Sequence, residues 1–190
     1  MIMVKEQAAV FLDRDGVIIE DVNFITRPEQ VKFIDKSAEA ISLLNKKFKV
    51  IIVSNQPAVG RGLCNEEDAK KINEMVIFLL SKKNAKIDNI YMCFHHPLKG
   101  IGKYKIECEC RKPKPGMLLK AAREHNIDLS KSFMIGDKIG DIKAGHDAGC
   151  KTILVKTGYG GNDGFNDADP DFIVKDLYEG VKKIILGGKK

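Results

Sequence analysis

Short apolar runs that stop abruptly at polar residues recur along the chain, and between them lie segments whose apolar positions return every three or four residues. The first run covers 8–12 and breaks into Asp13, Arg14, Asp15 and Gly16. A second, over 49–53, breaks into Ser54, Asn55 and Gln56, and a third, over 132–136, breaks into Asp137. Continuous apolar runs of this length mark strands covered on both faces, as in a parallel sheet. Further strands are predicted at 90–92, 152–155 and 172–174. Helices are predicted at 37–47, 65–83, 115–125 and 177–186, with Asn65 and Asp68 placed to cap the second of them. The alternation predicts an α/β fold, a doubly wound, mainly parallel sheet with helices on both faces. The stretch 21–30 is too polar and proline-broken for a second domain, and no helical cap interrupts the pattern. One domain over 1–190 is therefore expected. The glycine-rich stretch 158–161 lacks the Lys-Ser/Thr ending of a phosphate loop and is expected to be a connection.

Sheets of this kind carry their chemistry at the carboxyl ends of the strands. Asp13 and Asp15 flank a single residue, so in an extended segment both carboxylates would face the same side and need a cation between them. Taken alone, such a pair is more often a solvated turn. Hard oxygen donors suit Mg²⁺, and Asp137 could join the site from the third strand. Ser54, Asn55 and Gln56 offer hydrogen-bond donors to a phosphoryl oxygen. Arg111 and Lys112, just before prolines suited to the first turn of a helix, supply cations for a phosphate-sized anion.

A separate cluster joins Cys93, His95 and His96 to Cys108 and Cys110 across a Gly- and Lys-rich stretch. Three thiolates and one imidazole meet the tetrahedral demand of structural Zn²⁺. The alternatives are ordinary buried cysteines or a disulfide.

In this order, Asp-Arg-Asp-Gly, strand-Ser-Asn, Cys-Arg-Lys-Pro and Gly-Asp-x-x-x-Asp, the motifs resemble the haloacid dehalogenase superfamily of phosphatases over nearly the whole chain. The wording Phe-Leu-Asp-Arg-Asp-Gly and Ser-Asn-Gln-Pro-Ala-Val-Gly-Arg-Gly is most similar to its histidinol-phosphatase and D,D-heptose 1,7-bisphosphate phosphatase branch. The resemblance implies that Asp13 is the nucleophile, forming an aspartyl-phosphate, and that Asp15 is the general acid and base. It implies Mg²⁺ on the Asp13 side chain, the Asp15 backbone carbonyl and Asp137. Ser54 and Lys112 would hold the transferring phosphoryl group, and Arg111 would contact the rest of the substrate. Asp21, Val22, Asn23, Phe24, Asn55, Gln56 and Lys138 are candidate substrate contacts. Zn²⁺ would sit on Cys93, His95, Cys108 and Cys110 in a loop over about 93–110, with His96 outside the ligand set. Asp141 is expected to order its loop or hold Lys138. The chain departs from the family pattern at Phe33 to Lys36, where Pro-Gly is common, and at Pro57. The expected substrate is a small phosphorylated sugar, heptose bisphosphate ahead of histidinol phosphate. A zinc-stabilised binding module without catalysis is the alternative from another class, and a nucleic-acid 3′-phosphatase a remoter one.

Composition changes this picture little. The 190 residues are 44% hydrophobic, enough for a core, and carry a net charge of +6. The lysines are scattered without interleaved aromatics, so a solvated surface rather than nucleic-acid binding is expected. No run approaches a membrane span, and the N-terminus lacks the order of a signal peptide. A monomer in the cytoplasm is expected, where cysteines serve metal binding in place of disulfides.

Overall fold

A computed structural model describes residues 7–187. Six strands form one wholly parallel sheet: β1 Ala9–Leu12, β2 Lys49–Asn55, β3 Asn89–Cys93, β4 Phe133–Gly136, β5 Lys151–Val155 and β6 Phe172–Val174. Their spatial order is β3-β2-β1-β4-β5-β6. Register follows from the apolar runs. Phe11 lies opposite Ile51 on one side and Met134 on the other, and Ile153 lies opposite Ile135.

The helices are α1 Ser37–Leu44, α2 Pro57–Gly60, α3 Glu66–Ser81, α4 Gly116–His125, α5 Ile139–Ala148 and α6 Leu177–Gly180, the last continuing in π-helical bonding over Val181–Ile185. The Asn65 side chain accepts from the Asp68 amide at 2.8 Å and caps α3. The central strand β1 is buried at all four positions, and its side chains divide between two cores. Val10 and Leu12 pack with Ile41 and Leu44 of α1, Ile72, Val76 and Leu80 of α3, and Leu177 of α6. Ala9 and Phe11 pack on the other face with Met117, Leu118 and Ala121 of α4 and Ala144 of α5. Double coverage is why the runs read as unbroken apolar stretches.

Helix α5 is the main element absent from the apolar periodicity. Its glycines lower helix propensity, but Gly145 answers to packing. A Cβ there would stand 2.7 Å from Cβ of Met134 and 2.8 Å from Cγ2 of Thr152. Close approach of α5 to β4 and β5 therefore requires the missing side chain. Gly145→Val is expected to lower stability by about 1–3 kcal/mol, since overpacking against the side chains of Met134 and Thr152 outweighs the few tenths gained in helix propensity. Urea denaturation checks this; an unchanged midpoint would show that the helix can move away freely.

Candidate active site

Chain direction reverses its progress across the sheet between β1 and β4, and the crevice outside the carboxyl ends of those strands is where the candidate residues meet. The Asp13 amide donates to the Ile135 carbonyl at 3.0 Å, continuing the β1–β4 ladder by one residue before the chain bends at Arg14. Asp13 and Asp15 both line the cleft beyond the sheet, as expected, but their carboxylates take different partners. Asp13 groups with Asp137 and Asp141, one carboxylate oxygen of each lying within 4.8 Å of the others. Asp15 is taken by its neighbour: Arg14, wholly buried, donates to both its oxygens at 3.0 Å and to Asn73 at 2.9 Å. Gln56 adds a third bond to Asp15 at 2.7 Å. Arg14 was not singled out from the sequence, because a buried arginine inside an acidic motif becomes legible only when Asn73 on α3 is placed beside it.

Lys112 is the buried cation of the site. Its Nζ lies 2.6 Å from Asp141 Oδ1 and 3.1 Å from Asp13 Oδ1, and it donates to the Val53 carbonyl at 2.7 Å. Burial works against its charge, but Asp13 and Asp141 more than reverse that, so it holds its proton more firmly than a free lysine. Asn55 fixes the backbone around it, accepting from the Lys112 amide at 3.1 Å and donating to its carbonyl at 2.9 Å. Asp141 accepts from the Lys138 amide at 3.1 Å, capping α5, and pairs with the ammonium of Lys112 and not with that of Lys138. It orders its loop as expected, but the lysine it holds is a different one.

The carboxylates are pushed in opposite directions. Burial alone would raise Asp13, but Lys112 and Lys138 overcome it and hold the group below the usual carboxylate range. Asp137 is pushed up to about 7, first by burial and then by Asp13 and Asp141. Lys138 reaches Asp21 at 3.3 Å and Asp137 at 3.4 Å and lies 4.4 Å over the Tyr159 ring. Among these groups the Asp13 Oδ1 atom is buried without a hydrogen bond, because its lysine contact is close but not aligned as one. An orphaned carboxylate oxygen, a second carboxylate held near neutrality and all-oxygen donors fit a hard divalent cation such as Mg²⁺. Asp141 is the weaker candidate of the three, since its Oδ1 makes the closest cation contact among them, 2.6 Å from the Lys112 ammonium.

Two glycine positions make room for Asp137. A Cβ on Gly16, whose φ is +85°, would stand 2.3 Å from Asp137 Oδ2, and one on Gly158 would stand 2.2 Å from it. The stretch 158–161 is a connection between β5 and β6, and it also serves the site. The Tyr159 amide donates to Asp137 Oδ2 and the Gly161 amide to its carbonyl, both at 2.8 Å.

A cleft of about 220 Å³ opens over these groups, and Asp13, Asp15, Asp21, Asn23, Phe24, Asn55, Gln56, Arg111, Lys112 and Lys138 all line it. Three expected residues do not: Ser54 and Asp137 are buried beneath it, the Ser54 hydroxyl accepting from Gln56 at 2.9 Å, and Val22 points to solvent at 42% exposure.

The second cluster comes together as well. Sγ of Cys110 lies 3.1 Å from that of Cys93 and 3.2 Å from that of Cys108, with Nδ1 of His95 3.5 Å from Cys110 and 3.8 Å from Cys93. The sulfurs are well beyond the ~2.05 Å of a disulfide and near the edge length of a tetrahedron with ~2.3 Å metal–sulfur bonds. The cluster could therefore hold zinc. His96 turns elsewhere, its Nδ1 accepting from the amides of Leu98 and Lys99. Arg111 donates to the His95 carbonyl at 3.0 Å, so this cluster sets the position of the arginine over the cleft.

A HAD-hydrolase-like family model matches residues 109–180. The D-glycero-beta-D-manno-heptose-1,7-bisphosphate 7-phosphatase of Haemophilus influenzae is 39% identical over 181 residues, 93% of this chain and 97% of that protein. Its counterpart in Photorhabdus laumondii is 40% identical over 184 residues, 96% of this chain and 97% of the relative. The chain belongs to this family of haloacid dehalogenase-like hydrolases. Among solved structures, the D,D-heptose 1,7-bisphosphate phosphatase of B. bronchiseptica, complexed with magnesium and phosphate, superposes with a TM-score of 0.82 at 30% identity. That match covers 95% of this chain and 99% of the other.

As a hydrolase of this family the protein should depend on the room left for Asp137. Gly158→Ala is expected to lower turnover of p-nitrophenyl phosphate by about 100-fold, the cost of displacing an active-site group by roughly 1 Å. Circular dichroism should remain native, and activity within a few-fold of the parent enzyme would show that Asp137 tolerates the shift.

Proposed function

We propose that the protein is a Mg²⁺-dependent phosphatase that removes the C7 phosphate of D-glycero-D-manno-heptose 1,7-bisphosphate, leaving the 1-phosphate for nucleotide activation. The observation that carries this reading is the grouping of Asp13, Lys112 and Asp137 at the mouth of β1 and β4, in a chain whose relatives named for this activity match it almost end to end. The lowered pKa of Asp13 keeps its carboxylate ionised and nucleophilic. In the first step an Asp13 oxygen bonds to phosphorus while the bond from phosphorus to the C7 oxygen breaks, and Asp15 gives that oxygen a proton. In the second step water attacks the aspartyl-phosphate, Asp15 takes a proton from the water, and Asp13 is released with inorganic phosphate. Arg14 and Gln56 fix the plane of the Asp15 carboxylate for both transfers. Lys112, already at contact distance from Asp13 Oδ1, holds a phosphoryl oxygen as negative charge moves onto it. Ser54 acts on Asp15 through Gln56, whose amide nitrogen donates to both residues.

Asp13, Asp137 and the Asp15 carbonyl would hold the Mg²⁺, which when bound offsets the repulsion between the Asp13 carboxylate and the phosphate dianion. Asp21, Asn23, Phe24, Arg111 and Lys138 line the part of the cleft that would receive the sugar. Cys93, His95, Cys108 and Cys110 would bind Zn²⁺ with no open position, a structural role that aims Arg111. The clustered thiols suit work as a monomer in the reducing cytoplasm. No described helix is long and apolar enough to cross a membrane.

Phosphate release from both anomers of the heptose bisphosphate, and from histidinol phosphate, tests the substrate. The bisphosphate is expected to win by kcat/KM, and Asp13→Asn is expected to abolish turnover of every substrate. Preference for histidinol phosphate would overturn the substrate while leaving the chemistry in place.

Metal analysis should find one Zn²⁺ per chain. Its removal by a chelator, or Cys108→Ser, should lower the melting temperature by about 5–10 °C, the size that roughly 2–4 kcal/mol produces in a chain of this length. Full stability without zinc would leave the cluster as buried thiols.

A further inference from the structure

One buried position of α3 breaks the apolar stripe of its helix. That stripe carries Ala69, Ile72, Val76 and Leu80, and Asn73 stands among them where another apolar residue would pack by default. An amide taken out of water is costly unless both its ends find partners. Asn73, only 6% exposed, finds them. Its Oδ1 accepts from Nη1 of Arg14 at 2.9 Å, and its Nδ2 donates to the sulfur of Met92 at 2.9 Å. A guanidinium has donors alone, so the oxygen is the end that must face Arg14.

Arg14 passes this anchorage on to Asp15. Its Nε donates to Asp15 Oδ1 and its Nη2 to Oδ2, both at 3.0 Å, which leaves Nη1 for Asn73. With all three nitrogens engaged, the guanidinium plane cannot turn without breaking a bond. Gln56 gives Oδ2 a second bond at 2.7 Å. Each carboxylate oxygen offers two lone-pair positions, so Oδ2 is fully engaged, while Oδ1, with one bond among the described residues, keeps a position free. Both supports of Asp15 end on one pair of the sheet register. Gln56 bonds to Ser54 and Asn73 to Met92, and Ser54 lies opposite Met92 across β2 and β3.

We propose that Asn73 is a positioning residue of the reaction: through Arg14 it holds Asp15 so that Oδ1 is the oxygen that carries the proton to the leaving group. This rests on the phosphatase reading above, in which Asp15 is the general acid and base, and adds to it the atom and its remote support. In the first step the bond between Oδ1 and its hydrogen breaks as the leaving oxygen takes the proton and parts from phosphorus, which bonds to Asp13. In the second, Oδ1 recovers a proton from the attacking water. Asn73 does not line the cleft and touches no substrate. Removing its amide strands the Nη1 donor in the core, and a guanidinium that shifts to satisfy that donor takes the Asp15 carboxylate with it.

Leaving groups separate positioning from stability, because an alkoxide needs the proton from Asp15 and p-nitrophenolate departs with little help. The test compares kcat/KM, which covers the steps up to the aspartyl-phosphate, for p-nitrophenyl phosphate and for whichever of the heptose bisphosphate and histidinol phosphate the parent enzyme turns over faster. In Asn73→Leu the alkyl phosphate is expected to lose about ten- to hundredfold and p-nitrophenyl phosphate less than about threefold, as a misplacement of roughly 1 Å at the proton donor produces. Asn73→Asp, which keeps an acceptor for Nη1, is expected to stay close to the parent on both substrates. Should Asn73→Leu not fold, Asn73→Ser, whose hydroxyl is too short to reach Nη1, reads the same selective loss. Equal losses on the two substrates, or none, overturn the role of Asn73. Asp15→Asn, measured beside them, keeps the two readings apart. If it shows the selective loss and the Asn73 variants do not, this inference alone fails; if it loses equally on both substrates, Asp15 is not the general acid and the mechanism above fails with it.

Discussion

A lysine ammonium removed from water is the constraint on which the site rests. Lys112 is 5% exposed, and its charge is tolerated only because Asp13 and Asp141 stand against it. Taking away one partner of such a group costs about 3–5 kcal/mol, so the three residues are held to one another whatever else the loops do. They come from the end of β1, from the first turn of α5 and from the segment that follows Cys110. The ion network thus ties the strand that carries Asp13 to the cysteine-bearing loop and to the helix behind Asp137.

The same network separates the acids in protonation. Lys112 and Lys138 keep Asp13 ionised, while Asp137, close to Asp13 and Asp141 and mostly removed from water, rises to about 7. Pairs of titratable groups driven apart in this way are typical of sites that move protons or bind cations. Gly16 and Gly158 allow the crowding, since a side chain on either would occupy the place of an Asp137 oxygen. The Tyr159 amide then holds that carboxylate, and the Gly161 amide holds the backbone carbonyl of the same residue. The cleft is polar because its walls are the ends of strands and the loops beyond them.

Much of this was legible in the sequence. The runs at 8–12, 49–53 and 132–136 became β1, β2 and β4, and Asn65 with Asp68 capped α3 as their spacing required. Cys93, His95, Cys108 and Cys110 gathered at one point, and the residues after each strand met in one crevice. Helix α5 was hidden because Gly145 in its middle answers to the neighbouring strands and not to helix propensity. The stretch 158–161 looked like a plain connection because its contribution is made by amides, which every residue type carries.

By itself the sequence determined which elements form and which residue types stand at their ends, because strand runs, caps and metal-ligand spacing depend on neighbours within a few positions. It also sufficed to place the chain in its family. Tertiary structure alone decided the pairings. Asp13 groups with Asp137 and Asp141 because β4 lies beside β1 in the sheet. Those contacts join residues more than a hundred positions apart, and a charge buried between them takes its partner from packing, which local order along the chain does not specify.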